Sequence, residues 1–109
     1  MVRIDPINRS ADRDFPRTGG TAKFELRSAI NDPKSAFRIV MEPWRNAHLY
    51  TIKPASGVIA PNSKIEVEVT RKNGPASMDW ITAYYVPVKH AEKPNVIFSP
   101  HSSYQVNSS

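Results

Sequence analysis

A chain of 109 residues holds one domain's core, and its ten prolines exclude a helical bundle while suiting strand ends and sheet edges. It has no cysteine, so disulfides and thiolate metal sites are excluded and the core alone must hold the fold. The net charge of +5 favours anionic partners, yet the basic residues are scattered from Arg3 to Lys93 with no run longer than Arg71-Lys72, unlike the stripe or arm of a nucleic-acid binder.

Along the chain, Ile4-Asp5-Pro6 reads as a short opening strand, and residues 8–20 as an irregular edge segment broken by Pro16 and Gly19-Gly20. Thr21 to Ser28 alternates, with Ala22, Phe24 and Leu26 facing one way and Lys23, Glu25 and Arg27 the other. Asn31-Asp32-Pro33 supplies turn chemistry. Ala36 to Met41 is the next strand, with Phe37, Ile39 and Met41 on one face and Arg38, Val40 and Glu42 on the other. Tyr50 to Lys53 is stopped by Pro54; the chain turns through Ser56-Gly57, makes a brief apolar run at Val58-Ile59 and turns again at Pro61-Asn62-Ser63. Ile65 to Val69 alternates again. After the break at Asn73-Gly74-Pro75, Trp80 to Val86 is the longest apolar strand, and Asn95 to Ser99 the last.

Seven or so short strands at this spacing predict an all-β, immunoglobulin-like antiparallel sandwich over residues 1–100, followed by a polar C-terminal tail at 101–109. The predicted core is Phe24, Leu26, Phe37, Ile39, Tyr50, Ile52, Ile65, Val67, Val69, Ile81 and Tyr85. A cis X-Pro bond is expected near the opening strand, at Asp5-Pro6 or Phe15-Pro16. Met1 to Pro6 lacks the apolar run of a secretion leader and no stretch is long enough to span a bilayer, so the expectation is a cytoplasmic protein without a membrane anchor.

Catalytic patterns are missing. His48, His90 and His101 are dispersed, and His90-Ala91-Glu92 is the nearest approach to a ligand pair. Thr18-Gly19-Gly20-Thr21 lacks the lysine and spacing of a phosphate loop, and Asp12 and Asp14 lie two apart in the irregular segment. No enzyme activity, cofactor or metal is expected. Trp44, Trp80 and Tyr84 offer stacking platforms to a nucleic acid, but no binding motif accompanies them and no nucleic-acid partner is expected.

Four segments resemble the major sperm protein (MSP) domain, and among its members the small single-domain, sperm-specific nematode proteins. They are Ile4-Asp5-Pro6; Asn31 through Ile39; Tyr50 through Pro61, similar to a Tyr-x-aliphatic-basic-Pro-x-x-Gly-x-aliphatic-x-Pro signature; and Asp79 through Tyr85. The resemblance implies a non-enzymatic protein–protein contact module: a cytosolic component or regulator of the actin-free filament cytoskeleton that drives crawling of nematode sperm. Its partners are then MSP filaments or a second copy of the chain in a homodimer. The alternative it implies is the VAMP-associated branch, whose domain captures acidic peptides bearing two phenylalanines through a Lys-Thr-Thr-like patch. Here Val40, Met41 and Glu42 stand at that patch, so its lysine is replaced, while Lys53 keeps the basic position of the signature.

If the resemblance holds, Ile81, Ala83 and Tyr85 face the core and Trp80, Thr82, Tyr84 and Val86 point outwards. The candidate partner-binding residues are therefore Arg38, Val40, Lys53, Trp80, Tyr84 and Val86, with Trp80 and Tyr84 as the anchoring rings. The competing expectation is that the tail from Tyr104, or a long loop, folds over those rings.

Overall fold

The computed structural model describes residues 2–7, 14–16, 19–91 and 101–108. Two sheets pack face to face. One is four-stranded, in the order β1 (Arg3–Pro6), β3 (Gly20–Arg27), β7 (Lys64–Arg71), β5 (Tyr50–Lys53). The other is five-stranded, in the order β2 (Asp14–Phe15), β9 (His101–Ser108), β8 (Met78–Pro87), β4 (Ser35–Glu42), β6 (Ser56–Ile59). All pairings are antiparallel except β2 with β9. This is the predicted immunoglobulin-like sandwich, with nine strands among the described residues, one of them only two residues long.

Period-two alternation fills the space between the sheets. Phe24, Leu26, Val67 and Val69 enter from one side, and Phe37, Ile39, Met41, Ile81, Ala83 and Val106 from the other. Ile52 and Ile65, expected to be buried, are half-buried and pack against the rim of this core. The cis X-Pro bonds lie at Glu42-Pro43 and Lys53-Pro54 rather than near β1. The first precedes the 3-10 helix Trp44–Leu49, through which the chain passes from β4 to β5 of the other sheet, and the second lies where it returns to β6.

Three expectations need correction. Residues 101–108 do not form a tail: they are β9, hydrogen-bonded along β8 from Met78↔Asn107 to Tyr84↔His101. A sheet ladder is made by backbone groups, so a polar strand completes it as well as an apolar one. Phe15, read as part of an irregular edge, is buried and meets the Tyr50 ring edge-on, centroids 5.8 Å apart. Ser56-Gly57, read as a turn, belongs to β6, and Gly57 stands opposite Phe37. The strand expected at Asn95–Ser99 lies outside the described residues. A short helix, α1 (Val88–Ala91), follows β8 and packs against the ends of β4 and β8.

Candidate contact face

The outer face of the five-stranded sheet is built by register. Pairing of β4 with β8 sets Glu42 beside Trp80, Val40 beside Thr82, Arg38 beside Tyr84 and Ala36 beside Val86. Pairing with β9 adds Gln105 next to Trp80, Ser103 next to Thr82 and His101 next to Tyr84. Four of the six sequence-predicted residues thus share one surface: Arg38, Val40, Trp80 and Tyr84.

Their accessibility differs. Trp80 keeps 44% of its surface exposed. Arg38 is exposed, while Val40 and Tyr84 are half-buried. The Tyr84 hydroxyl donates to Glu42 Oε1 at 2.7 Å, and its ring leans on His101 with centroids 5.4 Å apart. That hydrogen bond to a carboxylate, and then burial, raise the Tyr84 hydroxyl above its ordinary pKa. Between the two rings Thr82 is buried, its hydroxyl 3.1 Å from that of Ser103. The face is therefore an exposed indole at one end and a hydrogen-bonded phenol with a neighbouring guanidinium at the other.

Two predicted residues fall elsewhere. Val86 has outward parity but is only 5% exposed, beside Ala36 and next to the sheet end against which α1 packs, so it offers no accessible surface. Lys53 lies on β5 of the opposite sheet, paired with Glu68 and remote from Trp80 in the strand order. Tyr104 takes the inward parity of β9 and meets Phe24 edge-on at 6.2 Å, so it does not fold over Trp80 and Tyr84.

A buried polar network at one end of the sandwich was not anticipated. Asp79 and Arg71 are fully buried. Asp79 Oδ2 accepts hydrogen bonds from the Tyr50 hydroxyl at 2.5 Å and Ser77 Oγ at 2.6 Å, and Oδ1 accepts one from Asn46 Nδ2 at 2.8 Å. Arg71 Nε donates to the Tyr50 hydroxyl at 3.3 Å, and its terminal nitrogens donate to the carbonyls of Lys72 and Pro75 and to Ser77 Oγ. Burial and the Asp79 carboxylate push the Tyr50 hydroxyl up to about 12. Asn46 lies on the 3-10 helix and Ser77 just before β8, so the network pins both connections. The sequence carried a signal for it: Arg71 continues the inward parity of Val67 and Val69, and Asp79 that of Ile81.

Among the described residues no group of three or more His, Asp or Glu side chains is placed to hold a metal, and no helix is long and apolar enough to cross a membrane. The side chains of Asp12, Asp14, His90 and Glu92 lie outside the described residues.

No family model matches the sequence. The chain is 28% identical over 88 residues to sperm-specific class P protein 31 of Caenorhabditis elegans, covering 81% of this chain and 75% of that protein. In structure it is similar to WR4, a C. elegans MSP family member, with a TM-score of 0.73 at 22% identity, covering 100% of this chain and 98% of that one. It is also similar to SSP-19, an MSP-domain-like protein of C. elegans, with a TM-score of 0.70 at 18% identity over 87% of this chain and 91% of that one.

Proposed function

We propose, from the premise that this is an MSP-like chain related to nematode sperm-specific proteins, that it is a non-enzymatic contact module, a cytosolic component or regulator of the sperm filament cytoskeleton. The observation that carries the reading is the exposed indole of Trp80, held on a rigid central strand beside Val40, Arg38 and Tyr84. Tryptophan and tyrosine bury much area with few rotors, and they anchor interfaces far more often than their abundance predicts. A strand whose other face is committed to the core presents them without further ordering.

The test is a double change, Trp80→Ala with Tyr84→Ala, read by co-sedimentation with assembled MSP filaments and by thermal melting. Loss of a central anchor on the order of 2 kcal/mol weakens association roughly thirtyfold or more. The melting midpoint should stay within about 5 °C, as for a change at a surface. Unchanged co-sedimentation would move the interface to another surface, and a sharp fall in melting point would make the two rings structural. The second reading, capture of acidic peptides, has Arg38 in its favour, exposed on the same face, and against it the Glu42 carboxylate set beside Trp80 there.

A further inference from the structure

At one end of the four-stranded sheet, on its outer face, three cations stand side by side. Register sets Arg3 opposite Arg27 and Arg27 opposite Lys64, across β1, β3 and β7. Neighbouring strands lie about 4.8 Å apart, so like charges at these positions repel and weaken the sheet unless an anion joins them. All three side chains are exposed, and they line an open cavity of about 620 Å³ together with Asp5, Ser28 and Asn62. The loop wall of that cavity is fixed. Ser28 N donates to Ser63 O at 2.9 Å, Ser63 N to Ser28 Oγ at 3.0 Å and Asn62 N to Ala29 O at 3.0 Å. These bonds join the end of β3 to the turn before β7, so Arg27 and Lys64 rise from a shared, rigid base.

We propose that this cavity binds a compact phosphate group, carried by a small molecule or by a lipid headgroup. The two carboxylates nearest the cations orient them rather than cancel them. Arg3 approaches Asp5 through Nε at 3.7 Å, and Arg27 approaches Glu25 through Nε at 3.4 Å, with Lys64 Nζ 3.8 Å from the same Glu25 oxygen. The acidic side chains are only 19% and 20% exposed, so they lie below the cations that cover them. Among the described residues no hydrogen bond engages the terminal guanidinium nitrogens of Arg3 and Arg27 or the Lys64 ammonium. Those nitrogens are the planar fork that grips phosphate oxygens in pairs, and the ammonium adds a point charge beside it. Three cations over two carboxylates leave the site net positive. The surroundings also limit the ligand's size. Two residues along the same strands Asp5, Glu25 and Glu66 form an acidic row, with Glu66 paired to Lys23 at 3.1 Å. A nucleic acid or acidic peptide laid along the strands would run from the cations onto those carboxylates, whereas a single phosphate or pyrophosphate stays on the cationic side. The cavity lies on the opposite side of the sandwich from Trp80, so it is independent of that contact face.

Titration of the full chain with pyrophosphate at about 20 mM salt, followed by calorimetry and by backbone amide NMR shifts, tests it. Saturable binding with a dissociation constant of about 1 mM or below is expected. The largest shifts should fall at Arg27, Ser28, Asn62 and Lys64. Arg27→Gln and Lys64→Gln each remove a charge-assisted hydrogen bond and should weaken binding at least about tenfold. Arg27→Lys keeps the charge without the fork and should recover only part of that loss. Lys89→Ser, which removes an exposed cation from α1, should leave binding unchanged. Should a variant unfold, the shift map of the unaltered chain still decides where the anion sits. Co-sedimentation with phosphatidylcholine vesicles, plain or carrying phosphatidylinositol monophosphate, separates the two sources. Binding to the phosphorylated vesicles alone, lost in Lys64→Gln, assigns the lipid headgroup; indifference to both, with pyrophosphate still bound, assigns a soluble phosphate compound. No saturation by about 10 mM pyrophosphate, shifts confined to another surface, or unchanged affinity in both Arg27→Gln and Lys64→Gln would overturn the proposal.

Discussion

The Tyr50 hydroxyl reaches from one sheet to the other and donates to Asp79 Oδ2 at 2.5 Å, while Arg71 Nε donates to that same hydroxyl from the neighbouring strand. A phenol thus links a buried guanidinium to a buried carboxylate. Its ring does a second job, lying 5.7 Å from the guanidinium carbon and edge-on to Phe15. Taking two charges out of water is unfavourable, so such a network stabilises only while all its members are present. Arg71→Met should therefore cost on the order of 3 kcal/mol, because the Asp79 carboxylate stays buried without its cation. Tyr50→Phe keeps the packing, loses the linking hydroxyl and should cost about 1–2 kcal/mol. Urea denaturation measures both, and a cost below about 1 kcal/mol for Arg71→Met would mean that water reaches the carboxylate.

The network also fixes how the fold responds to alkali. Burial and the Asp79 carboxylate raise the Tyr50 hydroxyl to about 12 in the folded chain, against 10 as the ordinary value. The folded state therefore holds this proton more tightly than the unfolded state does. Its contribution is complete below about pH 10 and declines between about pH 10 and pH 12, where the unfolded chain has ionised and the folded chain has not. Stability should fall with rising pH across that window. In Tyr50→Phe the decline should be shallower, leaving the smaller contributions of Tyr84 and Tyr85, whose hydroxyls are also raised. Denaturation midpoints taken along the pH series decide it, and equal slopes in both proteins would refute the assignment.

Strands that bury one face could be read from residue order because alternation has a physical cause: Thr21 to Ser28 and Trp80 to Val86 each commit every second side chain to the core. Parity was less informative where the inward positions are polar. Arg71 and Asp79 continue the inward series of their strands, but a charge at an inward position reads as a strand end unless its partners on other strands are known. In β9 the inward residues are Ser102, Tyr104 and Val106, too mixed to stand out from a tail. Parity also overstated access at the candidate contact face. Thr82 and Val86 share the outward parity of Trp80 yet are buried, since exposure depends on neighbouring strands and on α1, which no local pattern reports. Lys53 was grouped with Arg38 as a basic residue, whereas the crossover after β4 carries it to the other sheet.

Gly57 gives a packing prediction. Its position opposite Phe37 leaves room for the ring, and a Cβ there would lie 3.1 Å from Phe37 Cζ and 3.2 Å from Cε2. Phe37 is buried and has little room to retreat. Gly57→Ala should cost about 1 kcal/mol and Gly57→Val about 1–3 kcal/mol as the ring is displaced and β6 loosens from β4. Pairing Gly57→Val with Phe37→Leu should recover part of that loss. A double-mutant cycle by urea denaturation measures the recovery, and strict additivity of the two changes would show that the ring and the glycine do not constrain each other.

The adaptor reading makes its own prediction at Glu42. The carboxylate is half-buried at the end of β4, accepts the Tyr84 hydroxyl and stands opposite Trp80, so it contributes negative charge to the face that carries Arg38. Val40, two residues earlier, is half-buried and uncharged. A peptide with two phenylalanines and an acidic flank would have to bring its carboxylates towards Glu42 with Arg38 as the nearby cation on β4, an arrangement that disfavours binding. Isothermal titration of such a peptide should give weak or undetectable affinity. Val40→Lys with Glu42→Thr removes the repulsion and supplies an ammonium group, and should tighten binding at least about tenfold, with the gain shrinking as salt is raised. Because Glu42→Thr also releases the Tyr84 hydroxyl, Tyr84→Phe alone serves as the control and should leave affinity unchanged. Tight binding by the unaltered chain, or no gain in the double variant, would place peptide recognition on another part of the sandwich and leave the Trp80 face to protein contacts alone.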